Sequence, residues 1–198
     1  MTDKSGMPDH DRLARVIWEQ TRRQGLVHLY TGNGKGKTTA ALGLALRALG
    51  HDRKVAVVQF YKRTKLKTGE LLFVEKYDGP ITIEQYGASR FATEEEKRMV
   101  EESGKTVKQG WERAAELVIR GEHDLVVLDE VTHAVKYGQV GLAALVKTIE
   151  NKAPYLELVI TGRYAPPELQ RVCDYVTEMR EVKHPFRDGI RAREGSEY

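Results

Sequence analysis

The sequence predicts an α/β fold built on a mostly parallel, six-stranded sheet flanked by helices. Three observations carry that expectation. Short apolar runs alternate with helical stretches along the whole chain, as helices covering both faces of a parallel sheet require. Several of those runs, KVAVVQF (54–60) above all, are apolar without alternation, which is how a strand buried on both faces is written. A glycine-rich turn joins the first apolar run to the first long helical stretch.

The chain has 198 residues, 40% hydrophobic and 31% charged, with 32 Lys and Arg against 29 Asp and Glu. That composition is globular, and the length suits one domain with a sizeable core. A formal charge of +3 gives no reason to expect a nucleic-acid partner. No apolar run approaches the ~18–20 residues of a membrane span, so no membrane partner is expected. Cys173, the single cysteine, rules out an internal disulfide and a multi-cysteine zinc site. With no apolar signal core in the opening residues, the expected location is the cytoplasm.

Residues 1–24 are expected to be a polar segment followed by an amphipathic helix over 9–24, with Leu13, Val16 and Ile17 on one face and Gly25 as its stop. Residues 25–198 form one α/β domain. LVHLYT (26–31) is the first strand, and Ala40, Ala41, Leu44, Ala45 and Leu49 suit the buried face of the helix that follows. Strands are expected at 54–60, 81–87, 124–130, 156–162 and 175–182, the last at an edge. Between them fall a basic loop (61–69), a short helix (70–77), a long helical stretch (93–120), a helix over 139–150 and a short one opened by Pro166 and Pro167. Thr93 with Glu96 forms a capping box at the start of the long stretch, and Ser103-Gly104 marks a point where it can break. The tail, KHPFRDGIRAREGSEY, is polar and irregular.

The strongest chemical signal is Thr31-Gly32-Asn33-Gly34-Lys35-Gly36-Lys37-Thr38-Thr39, between an apolar strand and an Ala-rich helix. Strand, glycine loop and helix in that order build a polyphosphate cradle. Glycines let successive amides turn inward, and the amides and helix start present partial positive charge to phosphate oxygens. Lys37 would bridge phosphates, and the Thr38 hydroxyl would reach Mg²⁺. Thr31 stands where the usual motif has its first glycine, and Lys35 is an additional cation. The second signal is Leu125-Val126-Val127-Leu128-Asp129-Glu130, an apolar strand that delivers two carboxylates at its C-terminal end, where open α/β sheets bind ligands. One would hold the metal directly or through water; the other would order its water shell or act as a base. Third, Ile160-Thr161-Gly162-Arg163 places Arg163 on the same edge, in reach of phosphate or an acidic group, or simply in solvent.

Together these residues resemble the P-loop ATP:corrinoid adenosyltransferases. The pieces are TGNGKGKTTAA (31–41), VVQFYK (57–62), Gly69-Glu70, VVLDE (126–130) with Thr132, ITGR (160–163) and VKHPFRDGIRAREGSEY (182–198). The resemblance implies a RecA-like P-loop NTPase fold and a homodimer, with the N-terminal helix set across the partner's site. It implies transfer of the 5′-deoxyadenosyl group of ATP to the cobalt of a reduced corrinoid, with triphosphate released. Residues Gly32, Asn33, Gly34, Lys35, Gly36, Lys37, Thr38 and Thr39, with Arg163, would bind ATP; Thr38, Asp129 and Glu130 would lie at Mg²⁺, or Mn²⁺ in its place. Family members that use complete cobalamins often carry an aromatic pair after the third strand. Here that stretch reads GASRFAT (87–93), which leaves Phe91 as the one candidate corrinoid contact. Cobalt in the Co(I) state is itself the nucleophile, so Lys37 supplies charge to the leaving triphosphate rather than a nucleophile.

No histidine pair has metal-site spacing. His133 and Tyr137, i and i+4, would line the corrinoid pocket or pack within a helix. The basic run Lys62, Arg63, Lys65, Lys67 would be solvated, or would contact corrinoid amides, phosphate or an acidic, flavodoxin-like reductant. The competing reading is a P-loop ATPase or nucleotide-dependent switch, with Glu130 activating water.

Overall fold

The computed structural model describes residues 24–63, 67–89, 92–102 and 104–197. The expected N-terminal helix and Phe91 lie outside the described residues. Six strands form one sheet: β1 (Val27–Thr31), β2 (Val55–Arg63), β3 (Ile81–Ala88), β4 (Leu125–Asp129), β5 (Glu157–Thr161) and β6 (Tyr175–Glu178). Their order is β3-β2-β4-β5-β1-β6, and every neighbouring pair is parallel. The helices are α1 (Lys37–Leu49), α2 (Gly69–Val74), α3 (Glu94–Glu102), α4 (Val107–Arg120), α5 (Val131–Lys136), α6 (Leu142–Glu150) and α7 (Pro167–Arg171), with a 3₁₀ turn at Pro185–Asp188. This is the expected α/β architecture of the RecA-like P-loop kind, with the sheet wholly parallel rather than mostly so.

Burial explains the strand sequences. All five residues of β4 are buried, because β4 sits between β2 and β5 with helices over both faces. Along β2, Ala56, Val58 and Phe60 pack against Ala114, Leu117 and Val118 of α4, while Val55 and Val57 face Ala41, Ala45 and Leu49 of α1. The small residues of α1 let its axis approach the sheet closely enough to deliver the helix start to the C-terminal ends of the strands. β6, by contrast, is exposed at all four positions. Among the described residues it is an edge strand, bonded to β1 alone.

The elements refine the expectation in one place and differ from it in three. The 93–120 stretch is two helices, broken at the point the sequence marked, where Gly104 adopts φ 67°. Each has its own capping box, Thr93 with Glu96 and Thr106 with Gln109. The last strand stops at Glu178 rather than 182, since the chain there turns across the glycine loop. The helix expected from 139 starts at Leu142. A helix not expected, α5, follows β4 at once and carries Val131, Thr132 and Ala134 into the core.

Candidate active site

β1 ends at Thr31 and the chain turns through residues 32–36 into α1. Two glycines of this turn are forced by another part of the chain. A Cβ on Gly32 would lie 2.5 Å from the Met179 carbonyl oxygen, and one on Gly34 2.7 Å from it. Gly32 also has φ 93°, and Gly36 has φ 116° at the start of α1, conformations natural only to glycine. Met179 is stitched in on both sides: its N–H donates to the Thr31 carbonyl (2.8 Å), and its carbonyl accepts from the Gly34 N–H (2.6 Å).

The loop from Asn33 to Thr39 forms one wall of a cavity of about 520 Å³. Lys62, Glu70, Glu130 and Arg163 face it, and the tail residues His184 and Gly195–Glu197 close one side. A larger cavity, about 800 Å³, lies at the opposite edge of the sheet between Arg47, Arg53, Asp124 and Tyr155. Among the described residues it has no glycine loop and no helix start aimed into it. The smaller one is the candidate site, because it lies at the C-terminal ends of the strands, where open parallel sheets take ligands.

Lys37 is 6% exposed, and its ammonium donates to the carbonyls of Gly32 and Gly34, each at 2.7 Å. Burial lowers its pKa, opposed by the nearby Glu130 charge. The hydroxyl of Thr38, one residue on, donates to Asp129 at 2.9 Å.

Asp129 is wholly buried behind the cavity wall. Its carboxylate also accepts from the Thr161 hydroxyl (2.7 Å) and the Gln59 side-chain amide (3.2 Å), and Lys62 lies 3.9 Å away. Burial raises its pKa, and the Lys62 charge and the two hydroxyls offset only part of that. Glu130 is pulled the other way. Burial pushes its pKa up, but the His133 ring, 2.5 Å away, and the charges of Lys62 and Lys37 outweigh it, so the group is held below the ordinary carboxylate range. Two adjacent acids are thus set to different proton affinities. The turn that separates them places Glu130 at φ 65°, with its N–H donating to the Thr161 hydroxyl at 2.9 Å. Gly162 leaves room for Thr132, since a Cβ there would lie 2.2 Å from the Thr132 hydroxyl oxygen.

The structure therefore brings together Asn33, Gly34, Lys35, Gly36, Lys37, Thr38, Thr39, Glu130 and Arg163 at one cavity, with Asp129 behind it. Gly32 shapes the turn without lining the cavity. Lys35 is drawn to the tail: its ammonium lies 2.8 Å from Glu197 and 3.1 Å from the Ser196 carbonyl. His133 packs against Tyr61, Tyr137 and Tyr164 beside Glu130. Burial pushes the Tyr61 phenol up to about 12.

Sequence reasoning missed Gln59. It is fully buried on β2 and donates to Asp129 and, at 2.9 Å, to Glu70, while accepting from the Gln85 amide at 2.9 Å. The available signal was a glutamine inside an otherwise apolar strand, since a buried amide needs partners.

Comparison with known proteins decides the family. Residues 23–198 match the family described as ATP:corrinoid adenosyltransferase BtuR/CobO/CobP. This chain belongs to the ATP:corrinoid adenosyltransferase family. Curated relatives agree across nearly the whole length. The corrinoid adenosyltransferase of Escherichia coli K12 is 37% identical over 186 residues, covering 93% of this chain and 91% of that one. The one from a Sinorhizobium species is 35% identical over 185 residues, 93% and 85% of the two chains. The corrinoid adenosyltransferase CobA of Salmonella typhimurium is 34% identical over 189 residues, 95% and 93%.

Proposed function

We propose that this chain transfers the 5′-deoxyadenosyl group of ATP to the Co(I) centre of a reduced corrinoid. The cobalt electron pair forms the bond to C5′, the C5′–oxygen bond breaks, and its electrons leave with inorganic triphosphate. The observation that carries this reading is that the family match, 23–198, spans every residue of the cavity built by the glycine loop, Lys37, Thr38, Glu130 and Arg163.

The protein's part is to bind, align and neutralise. Loop amides of residues 33–38 and the start of α1 hold the triphosphate. Lys37 is desolvated and fixed, so its charge acts on the leaving group at low cost in reorganisation. The hard oxygens of Thr38, Asp129 and Glu130 suit Mg²⁺, or Mn²⁺ in the same place, which when bound would neutralise phosphate charge. Among the described residues no group of three or more His, Cys, Asp or Glu is arranged to hold an ion. Asp129 keeps the Thr38 hydroxyl oriented, and Thr161 keeps Asp129 oriented. Arg163 lies where it reaches phosphate from the opposite wall.

Four finer assignments complete the proposal. Residues 1–24 form a segment and helix distinct from the domain at 25–198, and the protein works as a cytoplasmic homodimer. Phe91 contacts the corrinoid. The basic run around Lys62 receives an acidic, flavodoxin-like reductant. Among the described residues no helix is long and apolar enough to cross a membrane.

The test is a chemically reduced corrinoid with MgATP, read by light-sensitive absorbance and by phosphate products. Adenosylcorrinoid with triphosphate is expected. ADP with orthophosphate and no adenosylated product would replace this reading with an ATPase or switch. Phe91→Ala is expected to slow turnover on complete cobalamin more than on a corrinoid lacking the lower ligand; equal losses would remove Phe91 from that role.

A further inference from the structure

The larger cavity, about 800 Å³, has the size of a small-molecule site and takes no part in the proposed transfer. One wall is apolar: Leu44 and Ala48 of α1, Leu125 at the start of β4, and the ring of Tyr155. The Tyr155 ring is fixed there, since its hydroxyl donates to the Gly121 carbonyl at 3.1 Å. The rim is charged. Arg47, His51 and Arg53 come from the last turn of α1 and the turn after it, and Asp124 and Glu157 stand where the chain enters β4 and β5.

On this rim the strong acceptors are engaged and the donors are not. Asp124 accepts from the Arg53 guanidinium at 3.1 Å with one oxygen and from the Lys54 N–H at 2.8 Å with the other. Glu157 meets the His28 ring at 2.5 Å with one oxygen and accepts the Leu26 N–H at 2.9 Å with the other. By contrast, Arg47 and His51 have no hydrogen-bond or ion-pair partner among the described residues, and Arg53 commits one nitrogen, Nη1, to Asp124. The end of a helix ordinarily opposes an anion, because its last carbonyls are bare. Here they are covered: Leu46 accepts from the Gly50 N–H, Leu49 from that of Asp52, and Ala48 from those of His51 and Arg53. The same bonds fix the turn that carries His51 and Arg53.

A complementary ligand brings negative charge and acceptors at one end and an apolar frame at the other. A divalent cation does not fit, since all four carboxylate oxygens of the rim already have partners. A neutral polyol leaves the apolar wall unused. We propose that this cavity binds a small organic anion, a carboxylate, sulfonate or phosphate monoester on an aromatic or branched apolar frame. Arg47 and His51 hold the anionic group, the guanidinium by its two-pronged match to such groups, and Leu44, Ala48 and Leu125 pack on the frame. The site is separate from the glycine-loop cavity. Lys37 starts α1 and Arg47 lies in its last turn, about 15 Å farther along the axis at ~1.5 Å per residue.

The experiment titrates two fluorescent probes into the full chain: 1-anilinonaphthalene-8-sulfonate, and N-phenyl-1-naphthylamine, which has the same rings without the sulfonate. Each is tested on the unaltered protein, Arg47→Ala, Arg47→Lys and His51→Ala, with and without saturating MgATP. One sulfonate probe is expected to bind per chain, unaffected by MgATP. Arg47→Ala weakens it roughly ten-fold, as loss of a hydrogen bond to a charged group should, and leaves the uncharged probe unchanged. Arg47→Lys keeps the charge without the fork and restores part of the affinity; His51→Ala weakens the sulfonate by less than Arg47→Ala. Both positions are exposed, so the melting temperatures stay close to that of the unaltered protein. The proposal is overturned if the unaltered protein binds no sulfonate, as would follow if the residues preceding Gln24 fill the cavity. It is overturned equally if MgATP displaces the probe, which would put it at the glycine loop, or if Arg47→Ala binds it as the unaltered protein does. An uncharged probe that binds as tightly as the sulfonate would also overturn it, by showing an apolar surface with no anion site.

Discussion

Thr161→Val tests how the buried acid is held. The Thr161 hydroxyl serves two partners: it donates to Asp129 at 2.7 Å and accepts the Glu130 N–H at 2.9 Å. Valine has nearly the same shape, so the change removes hydrogen bonds without opening a large cavity. Losing a hydrogen bond to a buried charge costs ~1.5–3 kcal/mol, and an orphaned buried N–H ~1–3 kcal/mol. Because the two share one oxygen and Asp129 keeps donors from Thr38 and Gln59, a net loss of about 3 kcal/mol is expected. With an m-value of ~2 kcal/mol/M in urea, the unfolding midpoint falls by about 1.5 M. Thr161→Ser keeps both bonds and should fall by less than about half as much. Burial already raises the Asp129 pKa, and losing a donor to the charged form raises it further. The penalty of Thr161→Val is therefore largest where the acid is ionised and shrinks as the pH falls and the variant's acid takes up its proton earlier than the unaltered one. A midpoint shift below about 0.3 M, or equal losses for valine and serine, would refute this account of the hydroxyl.

Three further outcomes are expected. Lys37→Ala leaves the Gly32 and Gly34 carbonyls to water and the fold intact, and weakens ATP by roughly a hundred-fold or more in titration calorimetry, as loss of charge-assisted bonds to phosphate should; near-normal binding would remove Lys37 from the phosphate site. Burial raises the Glu157 pKa, but the His28 ring at 2.5 Å and the Leu26 N–H at 2.9 Å outweigh it and hold the acid below its ordinary value of 4.5. Its stabilising contribution is thus complete above that value and lost as the pH falls through the folded pKa, so Glu157→Gln should flatten the acid side of a stability–pH curve; an unchanged slope would show that the pair contributes nothing. Burial raises the Cys173 thiol to about 12, with the Asp174 charge adding to the shift, and its S–H donates to the Leu169 carbonyl. Native protein should therefore resist thiol reagents at pH 8 while denatured protein titrates one thiol; rapid native labelling would contradict the burial.

Much of the fold is legible in the residues because periodicity is a local property. KVAVVQF and DLVVLDE are apolar on both faces only where helices cover both faces, and β2 and β4 lie where that holds. The glycine loop was legible for the same reason: its neighbours in sequence supply its strand and helix. What sequence could not give depends on packing between distant segments. Across residues 93–120 the sequence marks the break at Ser103-Gly104 but not the second capping box, Thr106 with Gln109, that restarts the helix. Helix α5 is six residues long, too short for a period to show. The partners of Gln59 come from β3, β4 and α2, and nothing in VVQF names them. Likewise Lys35 reads as a phosphate-loop cation, yet its ammonium meets Glu197, 162 positions along the chain.

The contact between Met179 and the glycine loop bears on the order in which the molecule acquires its chemistry. A nascent chain that has emerged only as far as α7 contains each side chain proposed to hold phosphate and metal. It lacks the carbonyl that bonds Gly34 and the backbone that runs alongside Gly32. Synthesis must pass Met179 before the loop has the support that gives it this shape. Nucleotide affinity should thus arise abruptly once Met179 has been made, instead of growing as the sheet is assembled.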